Sequence, residues 1–278
     1  MQKLVSWDVN SRFRQNEKPR VCAVSYLNTV PLVWGMLHGE QRELFDISFA
    51  LPSECAGRVE EGSADIGIVP VVELPRLDLE VIPGTGIACR GPVRSILLIS
   101  KKPLPQVRTL AADRGSRTSV VLAQILLAEN HGVRPEVRSM PPVLAPMLEA
   151  ADAAVIIGDP ALRVDIERSP FEVRDLGEAW VRLTGTPMVF AVWAGRRPLE
   201  AERLARAFMG SCRFGLERME EIISAESARR GLAPALVRDY LTRHIAFELG
   251  ENELEGLELF LEYAARIDNL SPARTHSA

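Results

Sequence analysis

The sequence predicts an α/β fold made of two units with a cleft between them. Three observations carry that expectation. Short β-branched runs alternate with helical stretches. The segment Lys101-Lys102-Pro103-Leu104-Pro105 separates two such sets. The 278 residues suffice for two domains of about 100–200 residues each.

The elements follow in order. Residues 20–25 (RVCAVS) form a β-branched strand, after which Asn28 or Thr29 can cap a helix with Pro31 in its first turn and Gly39 at its end. Residues 44–50 read as a second strand, and Ser53 caps a helix that stops at Gly62. Residues 65–69 (DIGIV) are a buried strand, and 79–82 and 95–100 are two more. Beyond the Lys-Pro segment, strands are expected at 109–112, 136–139, 153–158 and 171–175, with helices from Ser116 to Gly132 and over 142–150. A strong strand at 188–194 (MVFAVWA) precedes three helices, 199–223, 234–245 and 251–267; the last carries Leu254, Leu257, Phe260, Ala264 and Ile267 at helical spacing. Alternation of this kind predicts mostly parallel pairing. No internal repeat is visible.

Composition excludes several classes. Thirty-three Lys and Arg against 37 Asp and Glu give a net charge of −4, which argues against a general nucleic-acid surface. No run approaches the about 20 apolar residues that span a bilayer, and residues 1–19 contain no apolar stretch of a secretory signal. Cys22, Cys55, Cys89 and Cys212 lie far apart with no CxxC pair, so they read as buried thiols of a reducing cytosol rather than a metal or disulfide framework. His38, His131, His244 and His276 sit at helix ends or in the tail, away from the polar clusters, and nothing points to a metal. No HExxH, GxSxG or P-loop pattern occurs, and Gly84-Thr85-Gly86 is too short to mark a nucleotide fold.

The chemistry-bearing residues gather where strands end and helices begin. Ser25 to Thr29, Ser53, and Ser116-Arg117-Thr118-Ser119 each place hydroxyls or an amide beside a helix N-terminus, whose free N–H groups and partial positive charge suit a carboxylate or phosphate. Ordinary capping accounts for each cluster taken singly. Arg90-Gly91-Pro92-Val93-Arg94-Ser95 is either a solvated basic turn or an anion site. Asp159, after a buried strand, either caps the next turn or meets a substrate hydroxyl. Spacing alone leads to a cleft protein for a small anion.

Six segments occur in a telling order: SYLNTVPL (25–32), DIGIVP (65–70), GPVRS (91–95), SRTSV (116–120), IGDPAL (157–162) and FAVWA (190–194). Together they resemble the chorismate dehydratases of the futalosine route to menaquinone, over nearly the whole stretch from Arg20 to Ile267. The resemblance implies a two-lobed type II periplasmic-binding-protein-like fold in a cytoplasmic enzyme, with the active site in the interdomain cleft. It implies a hydro-lyase that needs no cofactor and converts chorismate to 3-[(1-carboxyvinyl)oxy]benzoate and water. Asn28 and Ser95 match the family's active-site residues; Ser116, Thr118 and Ser119 match its pocket-lining helix start; Asp159 matches its Gly-Asp turn beside the cleft. Thr29 carries less weight, since the residue after the Asn varies among relatives. Ser25, Ser53 and Arg94 complete the expected substrate-binding set. The expected lobes are 20–100 with 189–270, and 101–188, flanked by flexible ends at 1–19 and 271–278. Expected partners are the substrate alone, with no nucleic acid or membrane, in a monomer or homodimer. The competing reading is a non-catalytic binding or sensor protein for a small aromatic carboxylate; a transferase acting on a related aromatic acid is a third.

Overall fold

The computed structural model describes residues 18–270. The expectations for residues 1–17 and 271–278, His276 included, lie outside the described residues.

The first sheet begins with β1 (Arg20–Val24), which leads through a 3-10 turn (Leu27–Thr29) into α1 (Val30–His38). Pro31 sits in the first turn of α1 and Gly39 ends it, but no side chain caps it. Then come β2 (Asp46–Ala50), α2 (Pro52–Glu61), β3 (Ile66–Pro70), the short α3 (Leu74–Leu77) and β4 (Leu79–Cys89). The second sheet is built from β5 (Ile96–Ser100), β6 (Thr109–Asp113), α4 (Thr118–His131), β7 (Glu136–Met140), α5 (Leu144–Ala150), β8 (Ala153–Ile157), α6 (Gly158–Leu162), β9 (Glu172–Asp175) and α7 (Leu176–Thr184). The chain returns with β10 (Met188–Arg196), followed by α8 (Ala201–Glu217), α9 (Met219–Arg230), α10 (Pro234–Asp239), a π-helical turn (Tyr240–His244), β11 (Ala246–Glu248) and α11 (Glu251–Leu270).

The two sheets share one plan. Their strand orders are β11-β4-β10-β3-β1-β2 and β7-β6-β8-β5-β9. In each, a strand arriving from the other set is inserted antiparallel at the equivalent place, β10 against β3 and β4, and β5 against β8 and β9. The pairings β1–β2, β1–β3, β6–β7 and β6–β8 are parallel. The edge strand β11 is also antiparallel to β4. Among the described residues antiparallel ladders thus outnumber parallel ones, five to four, and the expected mostly parallel pairing fails, chiefly at the crossing strands. The first crossing also lies earlier than Lys101: β5 belongs to the second sheet, so the chain changes sheets between Cys89 and Ile96.

Alternation along β5 shows why that strand crosses. Leu97 and Ile99 bury into a small cluster with Met147, Leu148 and Ile156, while Ile96 and Leu98 join the main core. A strand buried on both faces belongs in a sheet covered on both sides. The last helix ties the units together. It packs on α4 and β10, and Phe260 and Tyr263 meet the Trp180 ring edge-on at 5.9 and 5.7 Å. Its apolar stripe therefore lies partly against the second unit of its own chain.

Four local expectations change. Ser53 lies within the first turn of α2 rather than capping it; Glu54 instead accepts the Leu51 N–H at 3.1 Å. The GxG at 84–86 is interior to one long strand, β4, whose pairing with β10 is irregular there. The helix expected over 199–223 breaks at Arg218. The helix expected over 234–245 ends as a π turn. All four cysteines are buried and free, and Cys22 and Cys55 lie 3.2 Å apart, a proximity their spacing does not reveal. Among the described residues no helix is long and apolar enough to cross a membrane.

Candidate active site

An open cavity, about 520 Å³ with its open solvent included, lies where the carboxyl ends of both sheets face each other. Clefts at the carboxyl ends of strands are common small-molecule sites. Its floor and sides are apolar, from Val24, Ile68, Ile87, Ile96, Ile157 and Phe190. Such walls suit a flat six-membered ring. The polar groups come from three directions.

From the first unit, the 3-10 turn after β1 presents Asn28 and Thr29. Asn28 is half-buried and caps nothing: neither the turn nor α1 has a side-chain cap. Thr29 is buried and its hydroxyl has no hydrogen-bond partner. From the second unit, Ser116, Thr118 and Ser119 line the cavity at the start of α4. No side chain caps that helix, so its first-turn N–H groups remain available beside these hydroxyls. A helix N-terminus with added hydroxyls is a carboxylate site. Thr118 also accepts the Val72 N–H across the cleft at 3.5 Å.

The third direction is the crossing itself. Ser95 is buried at the head of β5, and its carbonyl accepts the Gly158 N–H at 2.8 Å. Asp175 holds this corner by accepting the Val93 and Arg94 N–H groups at 3.0 and 2.6 Å while capping α7 through the Glu178 N–H. The Ser95 hydroxyl accepts the Tyr240 hydroxyl at 2.8 Å.

Five of the nine expected site residues thus line the cavity: Asn28, Ser95, Ser116, Thr118 and Ser119. The other four take different positions. Ser25 is exposed, and its carbonyl accepts a hydrogen bond from the Arg230 guanidinium at 3.1 Å. Ser53 is half-buried, and its N–H donates to the Gly115 carbonyl across the cleft at 3.2 Å. Arg94 turns away, donating to the carbonyls of Ala161, Leu162 and Val164 at the end of α6, where burial lowers its pKa. Its backbone is left-handed, at φ 65°, which explains the turn. Asp159 accepts the Leu27 N–H at 3.0 Å and pairs with Arg230, so it clasps the first unit instead of facing the cavity.

Several residues escaped sequence reasoning. Among the described residues Arg117 is the one charged side chain lining the cavity, and Glu73, itself buried, holds its guanidinium at 2.7 Å. Tyr26 closes one side, with its ring against Gly158. None of His38, His131 and His244 lines the cavity.

Gly158 tests the closeness of the two units. It has φ +63°, and a Cβ there would sit 2.6 Å from the Tyr26 ring. The left-handed backbone alone costs a non-glycine residue about 1–2 kcal/mol, and overpacking adds about 1–3 kcal/mol. Gly158→Ala is expected to lower the melting temperature and raise KM by pushing the units apart. An unchanged melting curve with unchanged KM contradicts the contact.

Asp113, at the end of β6, is 1% exposed and accepts the Gly115 N–H at 2.8 Å. Burial raises its pKa, so its charge disfavours the folded state above the carboxylate range, and that penalty is relieved as pH falls through it. Asp113→Asn keeps the acceptor and removes the charge. The variant is expected to melt higher than the parent at neutral pH, with the gain shrinking on acidification. A lower melting temperature at neutral pH, with no such trend, contradicts this.

The menaquinone biosynthesis family matches residues 19–266. The chain belongs to that family. A chorismate dehydratase of Thermus thermophilus is 31% identical over 255 residues, covering 85% of this chain and 92% of the relative. The fold of this menaquinone biosynthesis family member is that of periplasmic binding proteins. A protein from Archaeoglobus fulgidus superposes with TM-score 0.71 at 17% identity, covering 92% of this chain and all of that one. The periplasmic aliphatic sulphonate binding protein of Escherichia coli gives 0.61 at 17% identity, covering 91% and 87%. A Candida albicans protein described as having the generic periplasmic binding protein fold gives 0.58 at 13% identity, covering 90% of each chain.

Proposed function

We propose that the protein is a chorismate dehydratase, a cytoplasmic hydro-lyase acting without a cofactor, and that its reaction takes place in the cavity between the two sheets. The observation that carries this reading is the joint placement of Asn28, Ser95 and the uncapped start of α4 around a largely apolar space.

Chorismate carries a ring carboxylate and an enolpyruvyl carboxylate. The α4 start, with Ser116, Thr118 and Ser119, takes one carboxylate, and Arg117 at the same helix end adds a positive charge. Asn28 and Ser95, on the opposite side, orient the other carboxylate or the ring. The carbon bearing the ether loses its proton, the C–H electrons become the new ring double bond, and the neighbouring C–O bond breaks. The hydroxyl departs as water, taking up a proton. The product ring is aromatic, which supplies a large driving force, so the site has mainly to position and to stabilise charge.

Among the described residues no His lines the cavity, and Asn28 and Ser95 are poor bases at neutral pH. The proton acceptor in this reading is the substrate's own enolpyruvyl carboxylate. A chorismate analogue with that carboxylate replaced by a neutral amide tests it. Binding without turnover supports the assignment, and turnover at the rate of chorismate refutes it.

A further inference from the structure

Tyr240 is 1% exposed, does not line the cavity, and donates its hydroxyl to Ser95 Oγ at 2.8 Å. That hydroxyl comes from a part of the chain remote from β5 and reaches one of the residues assigned to the substrate. We propose that Tyr240 is a positioning residue that fixes the direction of hydrogen bonding at Ser95, an inference that rests on the role given to Ser95 in the proposed function.

The argument is one of donors and acceptors. A phenol has one proton and accepts through its oxygen; a serine hydroxyl has one proton and two lone pairs. Burial raises the Tyr240 pKa, so the phenol keeps its proton and remains a donor. With the phenol's proton given to Ser95, Ser95 has its own proton free to face the cavity. Hydrogen-bond donation therefore runs from Tyr240 to Ser95 and on to the ligand. Without the phenol, Ser95 can rotate to accept.

The backbone supports a dedicated placement. Tyr240 opens the π turn that interrupts the chain after α10. Such turns are uncommon and recur at functional sites. His244, at the end of the turn, lies 2.7 Å from the Pro92 carbonyl and 3.1 Å from the Asp239 carboxylate. That anchors the turn to the loop leading into Ser95.

The test is a double-mutant cycle on full-length protein with chorismate. Wild-type turnover reads the proposed function by itself. Tyr240→Phe keeps the ring and removes the hydroxyl. It is expected to lower kcat by about ten- to hundredfold, from misplaced reacting groups, with KM changed less than about threefold. In a Ser95→Ala background the same change is expected to cost nothing further, since the phenol acts through Ser95. Wild-type kcat in Tyr240→Phe, or losses that multiply in the double variant, overturns the proposal. If Tyr240→Phe does not fold, a crystal structure of the wild-type protein with benzoate decides instead. Ser95 on the carboxylate, with the phenol on Ser95 and not on the benzoate, supports the proposal. A phenol that touches benzoate or has left Ser95 overturns it.

Discussion

Asn28→Ala is expected to fold normally and to turn over chorismate about a hundredfold or more slowly than the parent. The amide stands at the mouth of the 3-10 turn, half-buried and facing the cavity. If it capped the following helix, its loss would cost about 0.5–2 kcal/mol of stability and leave activity in the folded fraction. The structure removes that account, because neither the turn nor α1 has a side-chain cap. Melting curves and steady-state kinetics on one preparation separate the two. Unchanged kcat with a lowered melting temperature would return Asn28 to a structural role.

Arg230→Ala is expected to be the most destabilising single change at the cleft, by about 3–5 kcal/mol. Arg230 is 8% exposed at the end of α9, and its guanidinium donates to Glu226, Asp159 and the Ser25 carbonyl. Removing it leaves the carboxylates of Glu226 and Asp159 without this partner in a largely dry setting, and a buried carboxylate stripped of its counter-charge is expensive. Arg229 still pairs with Glu226, whereas Asp159 keeps the Leu27 N–H. The effect should therefore concentrate on the contact between units, with KM rising as well as the melting temperature falling. A melting temperature within error of the parent would show that the clasp contributes nothing.

These two residues also show what sequence conveys and what it does not. Asn28 was legible because it follows a β-branched strand and precedes a Pro-led helix, a local pattern that places an amide at a strand end. The start of α4 was legible for the same reason. Arg230 was not, because its partner Asp159 is remote in the chain, and a solvated helix end reads identically until the fold brings the two together. Arg94 misled for a related reason: a left-handed residue reverses the direction of its side chain, and nothing in Gly-Pro-Val-Arg-Ser announces a positive φ at the arginine. The two-unit organisation was visible in the alternation of strands and helices, but the crossing was placed too late. Lys101 to Pro105 is the more conspicuous breaker, while the actual crossing is the modest loop between Cys89 and Ile96. Tyr240 sits in what looks like an ordinary amphipathic helix, and a π turn has no periodicity of its own to detect.

The central claim is that this cavity dehydrates chorismate with groups supplied by the chain and the substrate alone. The most direct measurement is mass spectrometry of chorismate incubated with purified, chelator-treated protein and no added cofactor, beside a heat-denatured control. The account predicts steady conversion to a product lighter by one water, and none in the control. Binding of chorismate without that conversion would contradict the claim and move the chain to the non-catalytic binding role that its fold equally accommodates.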